Sequence, residues 1–111
     1  MLVVDDEPAI RLLCRVNLEL AGYEVREAGT LRQAREHLQG DVAVVLLDMH
    51  VGSERGETLL AELQAQQIPV AAVTGSTDLE SVGAQADAVL GKPFTIEDLE
   101  ATVARLAGRD R

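Results

Sequence analysis

Six apolar residues run unbroken from Val42 to Leu47, bounded by Asp41 and Asp48. The run is short and rich in β-branched side chains. It reads as a strand covered on both faces, hence the centre of a parallel sheet. Such a strand needs helices above and below it. It also carries one acid, Asp48, to its carboxyl end, and in open α/β sheets that edge is where ligands bind.

The remaining elements alternate in the order such a sheet requires. Leu2-Val3-Val4 is a first strand, again ended by carboxylates, Asp5 and Asp6. Glu7-Pro8 opens a helix, since proline is tolerated in a first turn. Ile10, Leu13, Cys14, Asn17, Leu18 and Ala21 form one stripe on it, and Leu12, Val16 and Leu20 a second. The helix is therefore broadly apolar and expected to be well buried, with Gly22 as its C-terminal cap. Tyr23 to Ala28 alternates like an edge strand. Thr30 can cap a helix over Leu31–Leu38 that Gly40 stops.

After Asp48 comes a polar, glycine-punctuated loop from Met49 to Gly56, then a helix from Glu57 to about Gln66. Val70 to Val73 is a fourth strand, ended by Thr74-Gly75. Asp78 to Gly83 is at best a short helix. Ala88 to Gly91 is a fifth strand, followed by Lys92-Pro93-Phe94. Thr95 and Asp98 make a capping box, and Ile96, Leu99, Val103 and Leu106 stripe the last helix. Strand and helix thus alternate five times. With right-handed crossovers this is a doubly wound α/β sheet with helices on both faces.

A length of 111 residues suits one domain spanning 1–111. The net charge of −9 argues against direct contact with nucleic acid or an anionic membrane. Cys14 is the single cysteine, which excludes an internal disulfide, and a small buried thiol is the expectation there. His37 and His50 lie too far apart in sequence to suggest zinc. No apolar run is long enough to span a membrane, and the first residues do not resemble a signal peptide. A cytoplasmic location is expected.

The strand ends carry the chemistry. Asp5 and Asp6 follow the first strand, Asp48 the third, Thr74 the fourth and Lys92 the fifth. In a parallel sheet all of these lie on one edge. Clustered carboxylates repel unless a cation joins them. With only oxygen ligands on offer, Mg²⁺ is the natural partner. A lysine can pair with Asp48 or with an anion placed on it, and a hydroxyl with the Gly75 N–H can bind the same anion. This is equipment for phosphoryl transfer to a carboxylate.

The chain resembles a response-regulator receiver domain of two-component signalling. The motifs are Val3-Val4-Asp5-Asp6-Glu7-Pro8, Leu46-Leu47-Asp48, Val73-Thr74-Gly75 and Lys92-Pro93-Phe94. The resemblance spans essentially the whole chain and implies a flavodoxin-like strand order of 2-1-3-4-5. It implies that Asp48 accepts a phosphoryl group from a histidine kinase, a histidine phosphotransfer protein or a small phosphodonor. It further implies that Asp6, Asp48 and the His50 backbone carbonyl ligate Mg²⁺, with Asp5 acting mainly through water. Lys92 would bridge to the phosphoryl oxygens, and Thr74 would swing in to couple phosphorylation to a conformational shift. Such a domain is a signalling phosphoacceptor that promotes only its own phosphorylation and dephosphorylation. A homodimer or an effector would meet the last helix–strand–helix face.

Some positions depart from that family's pattern. Val51 and Gly52 stand where a hydrophobic residue and a proline are common, so a freer loop is expected there, while Gly56 matches. Val89 replaces the usual aromatic three positions before Lys92, and the interval from Thr74 to Lys92 is short. His50 and Ser76 hold positions that flank the phosphoryl site and tune its hydrolysis. The alternative function is a phosphorylation-independent pseudo-receiver that serves as an interaction module. An aspartyl hydrolase would want an acid where His50 stands. No G-x-G-x-x-G or P-loop follows the first strand, which disfavours a nucleotide-binding Rossmann domain.

Overall fold

The computed structural model describes residues 1–51, 54–75 and 86–108. The elements in chain order are β1 (Leu2–Val4), α1 (Pro8–Leu20), β2 (Arg26–Ala28), α2 (Leu31–His37), β3 (Val45–Asp48), β4 (His50–Val51), β5 (Glu54–Arg55), α3 (Glu57–Ala65), β6 (Val70–Thr74), β7 (Ala88–Gly91) and α4 (Ile96–Gly108). Five strands form one parallel sheet in the order β2-β1-β3-β6-β7. That is the expected 2-1-3-4-5 order, with β6 and β7 as the fourth and fifth sheet strands.

Side-chain alternation along the strands divides the core in two. Leu2, Val4, Val45, Leu47, Val70 and Ala72 face α2 and α3, where they meet Leu31, Ala34, Leu59, Leu60 and Leu63. Val3, Leu46, Ala71, Val73, Ala88 and Leu90 face α1 and α4, where they meet Cys14, Leu18, Leu99, Val103 and Leu106. Each fully buried leucine contributes on the order of 2 kcal/mol. The helix ends follow their sequence signals. The Thr30 hydroxyl accepts from the Gln33 N–H, the Thr95 hydroxyl accepts from the Asp98 N–H, and Gly22 takes a left-handed φ of 102°.

Three expectations need correction. The first helix is not well buried: of its apolar side chains only Cys14 and Leu18 are fully enclosed, whereas Leu12, Leu13 and Val16 are exposed and Leu20 is 82% exposed. The sheet encloses Cys14 and Leu18 of the first stripe, while Leu13 of that stripe and the whole second stripe stay exposed. The strands are also shorter than their apolar runs. β2 begins at Arg26 and β3 at Val45, because these are the first residues of each run to pair with Leu2 on β1. Finally, the loop after Asp48 holds a small antiparallel pair, with His50 opposite Arg55 and Val51 opposite Glu54. Met49 and Val51 are buried in it and pack into the core. The expectations for Gly52, Ser76 and the Asp78–Gly83 helix lie outside the described residues.

Candidate phosphoacceptor site

The sheet register builds the site. Val4 on β1 pairs with Leu47 on β3, so the next residues, Asp5 and Asp48, emerge side by side. Asp48 in turn stands beside Val73 on β6, and Thr74 pairs with Gly91 on β7. The residue after Gly91 is Lys92, whose backbone N–H donates to the Thr74 carbonyl at 2.8 Å. Strand ends separated by long stretches of sequence thus meet at one edge.

Asp5, Asp6 and Asp48 each offer a carboxylate oxygen, and these oxygens all lie within 4.8 Å of one another. Asp5 and Asp48 are buried, at 3% and 5% exposure, while Asp6 is exposed. Each buried acid has one oxygen on a backbone N–H and one on lysine. Asp5 Oδ1 accepts from the Glu7 N–H at 2.9 Å, and Asp48 Oδ1 accepts from the His50 N–H at 3.1 Å. Lys92 Nζ stands 3.3 Å from Asp5 Oδ2 and 3.5 Å from Asp48 Oδ2.

Burial pushes the Asp48 carboxyl above its ordinary value. The His50 N–H opposes that rise, Asp5 adds to it, and Lys92 opposes it. Burial alone would lower Lys92, but Asp48 and Asp5 together outweigh it and hold the ammonium above its ordinary value. The fold therefore keeps Lys92 charged between two acids, one of which resists ionising. Three carboxylates with only oxygen donors fit a hard divalent cation, so the residues present suit Mg²⁺.

Sequence reasoning named Asp5, Asp6, Asp48 and Lys92, and these four converge. Thr74 lies buried at the same edge, with its hydroxyl donating to the Gly75 carbonyl at 3.2 Å. Among the described residues nothing lies within 4 Å of where a Cβ on Gly75 would stand. The His50 side chain is exposed, and its backbone N–H is the group seen on Asp48. Val89 is half-buried against the α2–α3 side of the core.

One support, Arg11, was not singled out in the sequence, and a second, Gly56, was marked only as matching the family pattern. Arg11 on α1 donates to the Asp5 backbone carbonyl at 2.7 Å. Gly56 packs under the phosphoacceptor candidate: a Cβ there would come within 2.9 Å of the Asp48 carbonyl oxygen. The spacing of Gly56 from Asp48 was visible, but its steric reason was not.

Residues 1–104 match the response regulator receiver domain family. Among curated proteins, the chain is 34% identical over 120 residues to the DNA-binding dual master transcriptional regulator RpaA of Synechocystis, covering 98% of this chain and 49% of that protein. It is 36% identical over 107 residues to the transcriptional regulatory protein KdpE of Mycobacterium tuberculosis, covering 88% of this chain and 46% of that protein. The chain spans about half the length of these relatives. Among solved structures, the receiver domain of NtrX from Brucella abortus superposes with a TM-score of 0.88 at 28% identity, over 96% of this chain and 97% of that one. Among the described residues no helix is long and apolar enough to cross a membrane.

Proposed function

The chain belongs to the response regulator receiver domain family of two-component systems, and on that premise we propose that Asp48 is its phosphoacceptor and that the reaction depends on Mg²⁺. One observation carries the reading. The Lys92 ammonium lies between Asp5 and Asp48, with the Asp6 carboxylate close by.

The donor is a phosphohistidine on a histidine kinase or a histidine phosphotransfer protein, or a small phosphodonor. An Asp48 carboxylate oxygen attacks phosphorus and forms an acyl phosphate. With phosphohistidine the phosphorus–nitrogen bond breaks and the imidazole nitrogen keeps the electron pair; with a small phosphodonor the bond from phosphorus to its leaving group breaks and the leaving group keeps the pair. Asp5, Asp6, Asp48 and the His50 carbonyl would hold Mg²⁺, which neutralises charge on the transferring oxygens when bound. The chain's own groups do the rest. The His50 N–H fixes one Asp48 oxygen and so orients the carboxylate. Lys92 gives up Asp48 and takes a phosphoryl oxygen instead. Thr74 leaves the Gly75 carbonyl to donate to the phosphoryl group. Because Lys92 and Thr74 are joined through their backbones, the two responses are coupled.

This makes residues 1–111 a receiver module whose output is a change of shape rather than turnover of a substrate. A cytoplasmic location goes with that reading. A homodimer or an effector would meet the last helix–strand–helix face, of which β7 and α4 are among the described residues.

The test is direct. The protein is incubated with Mg²⁺ and a small phosphodonor, or with a beryllofluoride mimic, and followed by mass spectrometry and NMR. One phosphoryl group should add to the wild type and none to Asp48→Asn. An adduct that survives Asp48→Asn, or no adduct on the wild type, sinks the reading and leaves the phosphorylation-independent interaction module.

A further inference from the structure

Arg11 joins three pieces of chain next to the acidic pair. Its Nη1 donates to the Asp5 backbone carbonyl at 2.7 Å, and its Nε donates to Glu27 Oε1 at 3.2 Å. Glu27 sits on β2, and its other oxygen accepts from Arg15 Nη1 at 2.8 Å, so the carboxylate is held from both sides. Gly29 leaves room for the guanidinium: a Cβ there would stand 2.8 Å from Arg11 Nη1. The arginine is thus held in place by one strand while it grips the peptide between Asp5 and Asp6.

That peptide sets the direction of both acids. Asp5 points inward to Lys92, and Asp6 is the exposed member of the carboxylate cluster. The Arg11 donor holds the Asp5 carbonyl, and with it the plane of the peptide that links the two acids. We infer that Arg11, held by Glu27 and admitted by Gly29, is a positioning residue that orients the Asp5–Asp6 pair for its divalent cation. The inference deepens the function proposed above and rests on it. Groups that orient metal ligands from outside the ligand set typically change affinity by about tenfold or more when removed.

Electrostatics alone predicts the opposite sign, which makes the inference testable. Arg11 is a cation near a cation site. If its charge were all that mattered, removing it would tighten Mg²⁺ binding, and Arg11→Lys would leave binding unchanged. If its hydrogen bonds matter, both variants weaken binding, because a lysine cannot reproduce the fork that spans Asp5 and Glu27.

The experiment is a Mg²⁺ titration of the 111-residue chain by calorimetry, with folding checked by circular dichroism. Arg11→Ala and Arg11→Lys should each weaken Mg²⁺ by about tenfold. Gly29→Ala should weaken it in the same direction, since the atom it displaces is the end of a flexible side chain and no charge changes. If Arg11→Ala does not fold, Gly29→Ala decides. Unchanged or tighter binding in the folded variants overturns the role of Arg11 and leaves the proposed function standing. A wild-type chain that binds no Mg²⁺ overturns the proposed function itself.

Discussion

Lys92 donates its backbone N–H to the Thr74 carbonyl at 2.8 Å while its ammonium stands 3.5 Å from Asp48. One residue thus touches both the Asp48 carboxylate and the strand end that carries the Thr74 hydroxyl. Lys92→Ala keeps the backbone bond and loses the ammonium. Without cation, Asp5 and Asp48 then face each other uncompensated, and the variant should lose about 2 kcal/mol of stability at neutral pH. Added Mg²⁺ should restore more stability to the variant than to the wild type. Mg²⁺ binding should survive, while the NMR response of Thr74 to a phosphoryl mimic should vanish. A variant that responds like the wild type removes Lys92 from the switch.

Asp48 gives a pH dependence of definite sign. Its folded value is raised, chiefly by burial, so the fold favours the neutral carboxyl. Below the ordinary carboxylate value both states are protonated and Asp48 contributes nothing. As pH rises through the window between the ordinary and the raised value, ionisation costs the folded state more than the unfolded one. Without Mg²⁺, Asp48→Asn should therefore raise Tm at pH 7, and the gap should close as the solution is acidified below the ordinary carboxylate value. Thermal melts across that range check it, and a gap that stays constant with pH contradicts it.

Gly56 has an ordinary helical φ of −71°, so its requirement is steric rather than conformational. A Cβ would meet the Asp48 carbonyl oxygen at 2.9 Å and the Met49 Cα at 3.0 Å. Neither atom can move without moving the Asp48 backbone or the residue that follows it. Gly56→Ala should cost about 1–3 kcal/mol in urea denaturation. It should also slow uptake from a small phosphodonor more than the loss of stability explains.

The two faces of α1 should answer differently to substitution. Leu18 is fully buried, so Leu18→Ala should cost about 2–5 kcal/mol. Leu20 is 82% exposed, so Leu20→Gln should stay within about 0.5 kcal/mol of the wild type. Urea midpoints measured side by side decide it. A large loss for Leu20→Gln would mean that the exposed stripe is covered in solution.

Cys14 is enclosed beneath the site, and burial pushes its thiol up to about 11. At pH 8 almost none of it is thiolate. A thiol-reactive disulfide reagent should therefore label the native chain only at the rate of opening, and labelling should become fast in urea.

Much of this was legible in the sequence because strands ending in polar residues leave a plain signature. The runs at Leu2–Val4, Val70–Val73 and Ala88–Gly91 gave the sheet strands, and the residues just beyond them gave the acids, the hydroxyl and the lysine. Thr30, Thr95 and Gly22 were readable because each cap uses a specific side chain or backbone angle. The exposure of Leu12, Leu13, Val16 and Leu20 was not readable. A helix apolar on two stripes does not say which stripe the sheet will accept. The His50–Val51 and Glu54–Arg55 pair is too short to show a period. The Arg11 bond falls on a backbone carbonyl, which every residue possesses, so no residue type marks it.

The contact between Lys92 and Asp5 closes a gap of 87 residues. Read as a sequence of events during synthesis, this separation means that the acids are made first and their ammonium last. Asp5 and Asp48 can come together as soon as β1 pairs with β3, but their mutual repulsion stays unrelieved until β7 takes its place at the far side of β6. Any state in which β1 and β3 have paired and β7 has not docked holds the acidic pair without its own counter-ion. Completing the sheet and completing the site are one event.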